Sequence, residues 1–170
     1  IYTVGCFSGV VDFDPGAGVY NMTSSQSGAA FISKLDNNGN FVWAKSISGD
    51  NGAIEASSLA VDSSGNSYFT GLFSGTLDFD PGAGVYTLST VDADGVTFTQ
   101  TFVSKLNANG EFTWARQMQA ASPKLEGAGV SPELPPINPD PYSLGNGIAV
   151  DTSGNVYTTG SFEGFADFDP

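Results

Sequence analysis

The chain has 170 residues, with 18 acidic and 5 basic side chains, no histidine and a formal charge of −13. No catalytic mechanism that needs an imidazole is available to it, and the charge argues against nucleic acid or an anionic membrane as partner. The lone Cys6 has no internal disulfide partner, no run of about 18 apolar residues exists to span a bilayer, and 13 Phe, 6 Tyr and 2 Trp supply material for a core.

Taken in order, the chain repeats itself. Residues 1–24 read IYTVGCFSGVVDFDPGAGVYNMTS, residues 67–90 read SYFTGLFSGTLDFDPGAGVYTLST, and residues 156–170 read VYTTGSFEGFADFDP. A second block pairs Phe31-Ile32-Ser33-Lys34-Leu35 with Phe102-Val103-Ser104-Lys105-Leu106, and Phe41-Val42-Trp43-Ala44-Lys45 with Phe112-Thr113-Trp114-Ala115-Arg116. A third pairs Leu59-Ala60-Val61-Asp62 and its Ser-Ser-Gly-Asn turn with Ile148-Ala149-Val150-Asp151 and Thr-Ser-Gly-Asn. Tyr2, Tyr68 and Tyr157 mark the period, at spacings of 66 and 89 residues. Most of the excess lies after Trp114, in a proline-rich stretch that reads as a surface excursion, since the repeat resumes in phase behind it. Ile1 opens in mid-pattern, so the chain reads as a window on a longer sequence.

Each period decodes into four short strands. The apolar and aromatic alternation predicts strands over 58–62, 67–73, 101–106 and 112–118, with counterparts over 1–7, 30–35, 41–47, 147–151 and 156–162. No segment carries a 3.6-residue period. One four-stranded sheet cannot bury both faces alone, so the expected fold is all-β, with antiparallel four-stranded blades stacked as in a β-propeller. The expected division is 1–52 for the last three strands of a blade, 53–121 for a complete blade, 122–142 for the insert and 143–170 for the first two strands of the next. Propellers close with about 4–8 blades, so a partial propeller is expected, whose remaining blades lie in other copies or, the favoured reading, elsewhere in the same longer chain.

The Asp-Phe-Asp-Pro motif carries the candidate site: Asp12 and Asp14, Asp78 and Asp80, Asp167 and Asp169. Alternate strand residues share a face, so each pair brings two carboxylates together while Phe13, Phe79 or Phe168 turns away. A calcium ion would relieve their repulsion, with carbonyls near Gly16-Ala17-Gly18 adding ligands. Salt bridges from the recurring cations Lys34, Lys105, Lys45 and Arg116 would do so without metal. The bland alternative is a strand terminator in which the aspartates cap turn amides. The loops at Asp36 and Asp62 resemble oxygen-rich cation loops but read as hairpin turns. Trp43 and Trp114 are candidates for carbohydrate stacking or for packing between blades. Cys6 is expected to be a buried, inert thiol, and Asn21-Met22-Thr23 is a glycosylation sequon.

The ordered series Asp-Ser-Ser-Gly-Asn, Tyr-x-Thr-Gly-x-Phe-x-Gly, Asp-Phe-Asp-Pro-Gly, Phe-Val-x-Lys-Leu and Asn-Gly-x-Phe-x-Trp-Ala resembles the SBBP-type β-propeller repeats of bacteria. The resemblance covers nearly the whole chain apart from the insert. It implies a secreted or cell-surface protein with no catalytic residues to carry over. The expected role is a noncatalytic scaffold, adhesin or binding module for glycans or other surface proteins. The alternative is a metal-dependent hydrolase or lyase with its active site outside this window, since the only non-repeating segment seen here is the insert, with Lys124, Glu126, Glu133 and Asp140.

Overall fold

The structure is a computed structural model that describes residues 1–92, 95–121 and 142–168. Every regular element in it is a strand: β1 (Tyr2–Phe7), β2 (Val10–Asp12), β3 (Asn21–Thr23), β4 (Ala29–Leu35), β5 (Phe41–Ile47), β6 (Gly52–Val61), β7 (Ser67–Asp78), β8 (Thr87–Ser89), β9 (Thr99–Leu106), β10 (Phe112–Ala121), β11 (Tyr142–Val150), β12 (Val156–Glu163) and β13 (Phe165–Asp167). The all-β expectation holds. β1, β4 and β5 form a three-stranded antiparallel sheet. β6, β7, β9 and β10 form a four-stranded antiparallel meander. β11 and β12 pair antiparallel, and β11 joins β9 through one parallel bridge.

Two first strands begin earlier than their sequence pattern suggests, at Gly52 rather than 58 and at Tyr142 rather than 147. Each strand carries a register shift, between Ala56 and Ser58 and between Gly145 and Gly147. The extra residue breaks the alternation that would have marked the strand. On the facing strands glycines permit close approach: a Cβ on Gly71 of β7 would strike the Glu55 carbonyl, and one on Gly160 of β12 the Leu144 carbonyl.

The four turns at 36–40, 62–66, 107–111 and 151–155 share one construction. The first residue's N–H donates to the fifth residue's carbonyl at 2.9–3.0 Å, and the fourth residue is a glycine with φ between 78° and 85°. A glycine is needed there because a Cβ disfavours the left-handed region.

One core cluster spans both larger sheets. Ala30, Ile32, Trp43 and Ile47 come from the three-stranded sheet, and Phe69, Phe73, Leu77, Phe79, Phe102 and Leu106 from the meander and its hairpin. Phe79 packs tilted or edge-on against Phe73 and Phe102, at 5.1 and 5.2 Å between ring centres. Burying a side chain of that size stabilises by about 1.5–3 kcal/mol, so three fully buried phenylalanines make this the firmest part of the chain.

Cys6 departs from expectation: it is exposed. Its neighbour Phe7 turns toward Phe31 and Phe13, so Cys6 points to the other side of the sheet, and that side is open to solvent.

Candidate functional site

The Asp-Phe-Asp-Pro-Gly segments build small hairpins on the ends of the second strands. β2 pairs with β3 in the register Val10↔Thr23, Val11↔Met22, Asp12↔Asn21. The end of β7 pairs with β8 in the equivalent register Thr76↔Ser89, Leu77↔Leu88, Asp78↔Thr87. Gly9 and Gly75, at φ 76° and 85°, swing the chain into these hairpins. A hydroxyl ties each back: Gly9 N–H donates to Ser24 Oγ at 2.9 Å, and Gly75 N–H to Thr90 Oγ1 at 2.8 Å. The middle phenylalanine turns inward, as the alternation requires. Phe13 lies 4.9 Å from Phe31 and Phe79 lies 5.2 Å from Phe102, centre to centre.

The carboxylates receive backbone amides. Asp12 Oδ1 accepts the N–H groups of Asp14 at 3.0 Å and Tyr20 at 2.8 Å, and Asp14 Oδ1 accepts Gly16 N–H at 2.8 Å. In the second hairpin Asp78 Oδ1 accepts from Asp80 at 3.0 Å and Tyr86 at 2.8 Å, and Asp80 Oδ1 accepts from Gly82 at 2.7 Å. A Cβ on Gly18 or Gly84 would collide with the second oxygen of Asp14 or Asp80. The Gly-Ala-Gly run is thus shaped around the second carboxylate of each pair. These are the contacts of aspartates that close a loop on itself. Among the described residues no group of three or more acidic, Cys or His side chains converges on a metal position. Of the third pair, Asp167 is exposed at the end of β13, and Asp169 lies outside the described residues, as do the insert residues Lys124, Glu126, Glu133 and Asp140.

The recurring cations contact rings, a hydroxyl and carbonyls. Lys34 Nζ sits 5.2 Å from the centre of the Tyr2 ring, and Lys105 Nζ 4.8 Å from that of Tyr68. Arg116 Nη1 donates to Tyr86 Oη at 2.7 Å and to the Ala115 carbonyl at 2.8 Å. Lys45 is half-buried on β5.

The sequence reading missed a second constellation. In both sheets a bulge, in β5 or in β10, leaves one extra residue, Val42 or Thr113, so that Trp43 comes opposite Lys34 and Trp114 opposite Lys105. Tyr2 meets Trp43 edge-on at 6.0 Å, and Tyr68 meets Trp114 at 6.3 Å. The first trio grips two turns of the neighbouring sheet, 107–111 and 62–66. Lys34 Nζ and Trp43 Nε1 both donate to the Ala108 carbonyl, at 3.0 and 3.3 Å, and Tyr2 Oη donates to the Gly65 carbonyl at 2.8 Å. The Trp43 ring lies over Gly110, where a Cβ would come within 2.9–3.1 Å of ring carbons. Of the two readings for the tryptophans, Trp43 takes the packing one. The recurrence of Lys, Tyr and Trp at matched positions was the available signal; the bulge that joins them was not visible.

The turns are electrostatically finished. Asp36 Oδ2 accepts the Asn40 side-chain amide at 2.9 Å and Oδ1 accepts the N–H groups of Asn38 and Asn40, both at 2.8 Å. The Asn40 amide is the main reason that Asp36 is held below the usual aspartate range. Asp151 is lowered the same way, first by Asn155. At Asp62 desolvation pushes upward, and the hydrogen bonds from Asn66, Tyr68 and Ser64 together outweigh it, leaving the carboxyl lowered. Turn 107–111 inverts the polarity: Asn107 Oδ1 accepts Asn109 and Glu111 N–H, while its Nδ2 donates to Glu111 Oε2 at 2.6 Å. The Asp36 and Asp62 loops are thus hairpin turns.

No curated protein matches the chain. The family model of the SBBP β-propeller repeat matches residues 141–161, the stretch through β11 and the 151–155 turn into β12, so the chain carries a β-propeller repeat there.

Proposed function

We propose that the chain is a run of blades in a larger β-propeller that acts as a noncatalytic scaffold, adhesin or binding module outside the cell or on its surface. Residues 1–52 would supply three strands of one blade, 53–121 a complete blade and 143–170 two strands of the next, with the insert between. The observation behind this reading is that the described polar chemistry comes in copies. The capped Asp12 and Asp78 hairpins, the Asx turns and the Lys–Tyr–Trp trios each occur at equivalent places. A catalyst concentrates its acid, base or nucleophile in one arrangement whose neighbours tune it. Copies spread evenly suit repeated packing and multivalent weak binding, and the acidic surface favours neutral glycans or other surface proteins over anionic partners.

The test has two arms. The purified protein is screened against a hydrolase and lyase substrate panel, with and without calcium, and against immobilised glycans and surface-protein preparations. Binding without turnover is the expected outcome. Turnover lost on substituting one non-repeating residue of the chain would replace the scaffold with an enzyme.

A further inference from the structure

Two features of the β11–β12 end are incomplete in the same way. In the three-stranded sheet β1 lies against β4, and in the meander β7 lies against β9, and each partner brings a phenylalanine opposite a glycine: Phe31 opposite Gly5, and Phe102 opposite Gly71. That phenylalanine completes a trio, Phe7–Phe13–Phe31 or Phe73–Phe79–Phe102. On β12 the equivalents Phe162 and Phe168 meet edge-on at 5.3 Å with no third ring among the described residues. They are 52 % and 58 % exposed, where Phe73 and Phe79 are fully buried. Gly160 sits where Gly71 does, and β12 pairs only with β11 among the described strands.

The second feature is the Lys105–Tyr68–Trp114 trio. Its twin grips the Ala108 carbonyl in the turn of the next sheet's third and fourth strands. Lys105 Nζ and Trp114 Nε1 have no hydrogen-bond acceptor among the described residues. Trp114 is half-buried where Trp43 is buried. Trp114 also lines a cavity of about 160 Å³ together with Val156 and Thr158 of β12, so the open trio and the open strand edge adjoin.

We propose that the outer edge of β12, the Phe162–Phe168 pair and the Lys105–Tyr68–Trp114 trio form one docking site for a β-hairpin built like β9–β10. Its first strand would pair with β12 and set a phenylalanine opposite Gly160. Its Asx-x-x-Gly turn would present the second residue's carbonyl to Lys105 and Trp114, as Ala108 is presented to Lys34 and Trp43. The source is a further repeat of the same kind. A second copy of this chain cannot serve, because its third strands are already taken: β4 pairs with β1, and β9 with β7. The inference rests on the reading of the chain as a run of blades, and it holds whatever the assembled protein binds.

A synthetic peptide with the sequence of residues 97–119, carrying Trp114→Phe so that only the protein's tryptophans report, is titrated into the full chain. Expected are saturable binding, a blue shift of tryptophan emission, new hydrogen-exchange protection along β12 and a one-to-one complex by light scattering. Lys105→Met in the protein, or Phe102→Ala in the peptide, is expected to weaken binding by about tenfold, the loss of about 1.4 kcal/mol. Lys34→Met in the protein, whose partner is already seated, is expected to leave the affinity unchanged. Trp114→Phe in the protein removes the indole donor as a second check. Absence of binding, no protection on β12, or affinity indifferent to Lys105→Met and Phe102→Ala would overturn the site. Concentration-dependent dimerisation of the chain alone, abolished by Lys105→Met, would overturn the assignment of the occupant.

Discussion

Gly110 answers to two constraints at once. Its φ of 78° lies in the left-handed region, and the Trp43 ring fills the space where a side chain would begin. Gly154 has the same backbone, with φ 84°, and nothing within 4 Å of its missing Cβ. Gly154→Ala is therefore expected to cost about 1–2 kcal/mol, the backbone penalty alone. Gly110→Ala should exceed it by the displacement of Trp43, and the difference between the two denaturation midpoints measures how tightly the turn is seated. Acid tests the aspartates beside these glycines. Asp36, Asp62 and Asp151 are all lowered in the folded chain, so each favours folding while ionised. That contribution is complete above the unfolded value of about 3.9 and is lost as pH falls through the depressed folded values. Melting temperature should hardly change between about pH 7 and 5 on their account and fall below about pH 4. Asn at all three positions is expected to flatten that acid limb.

The Asp-Phe-Asp-Pro-Gly hairpin poses the calcium question in terms of which oxygens are spoken for. Oδ1 of Asp12 and of Asp78 each already accepts two backbone amides, and the middle phenylalanine anchors the hairpin into the sheet. A chelator is thus expected to leave the thermal midpoint unchanged; a drop that calcium restores would assign a cation to the remaining oxygens. The same hairpin marks where sequence reading succeeds and fails. The inward turn of Phe13 and Phe79 follows from alternation, and the Asp-x-x-Gly turns follow from residue chemistry. All nine expected strands exist because apolar alternation is a local signal. The pairing of β2 with β3 and of the β7 end with β8 was not legible, since three-residue ladders lie below the length at which a period can be counted. The bulges at Val42 and Thr113 were hidden for a related reason. One extra residue is conspicuous only once the facing strand is known, and without it Lys34 has no evident reason to meet Trp43. Cys6 went astray because Leu72 and Ser161, which stand at its place in the other two copies, say what the position tolerates, not which side of the sheet is covered.

Across the whole molecule, order is expected to grade with pairing. β7 and β9 have ladder partners on both sides and carry the buried rings Phe69, Phe73 and Phe102. Among the described strands, β2 and β3 pair only with each other, and β12 only with β11. Amide hydrogen exchange should therefore be slowest in β7 and β9 and fastest in β2, β3 and along the outer edge of β12, because opening a singly paired strand exposes less apolar surface. Uniform protection across all these strands would mean that the chain opens only as one unit.

The grip of Lys34 and Trp43 on Ala108 has its two halves in successive copies of one sequence unit. Duplicating the unit in a gene would therefore copy plug and socket together. Each added copy would arrive with a matching junction already encoded, and an array could lengthen without any new surface having to evolve. A point mutation acts oppositely: it spoils one junction and leaves the others intact. Such a lineage can gain length in single genetic steps and lose cohesion only one junction at a time.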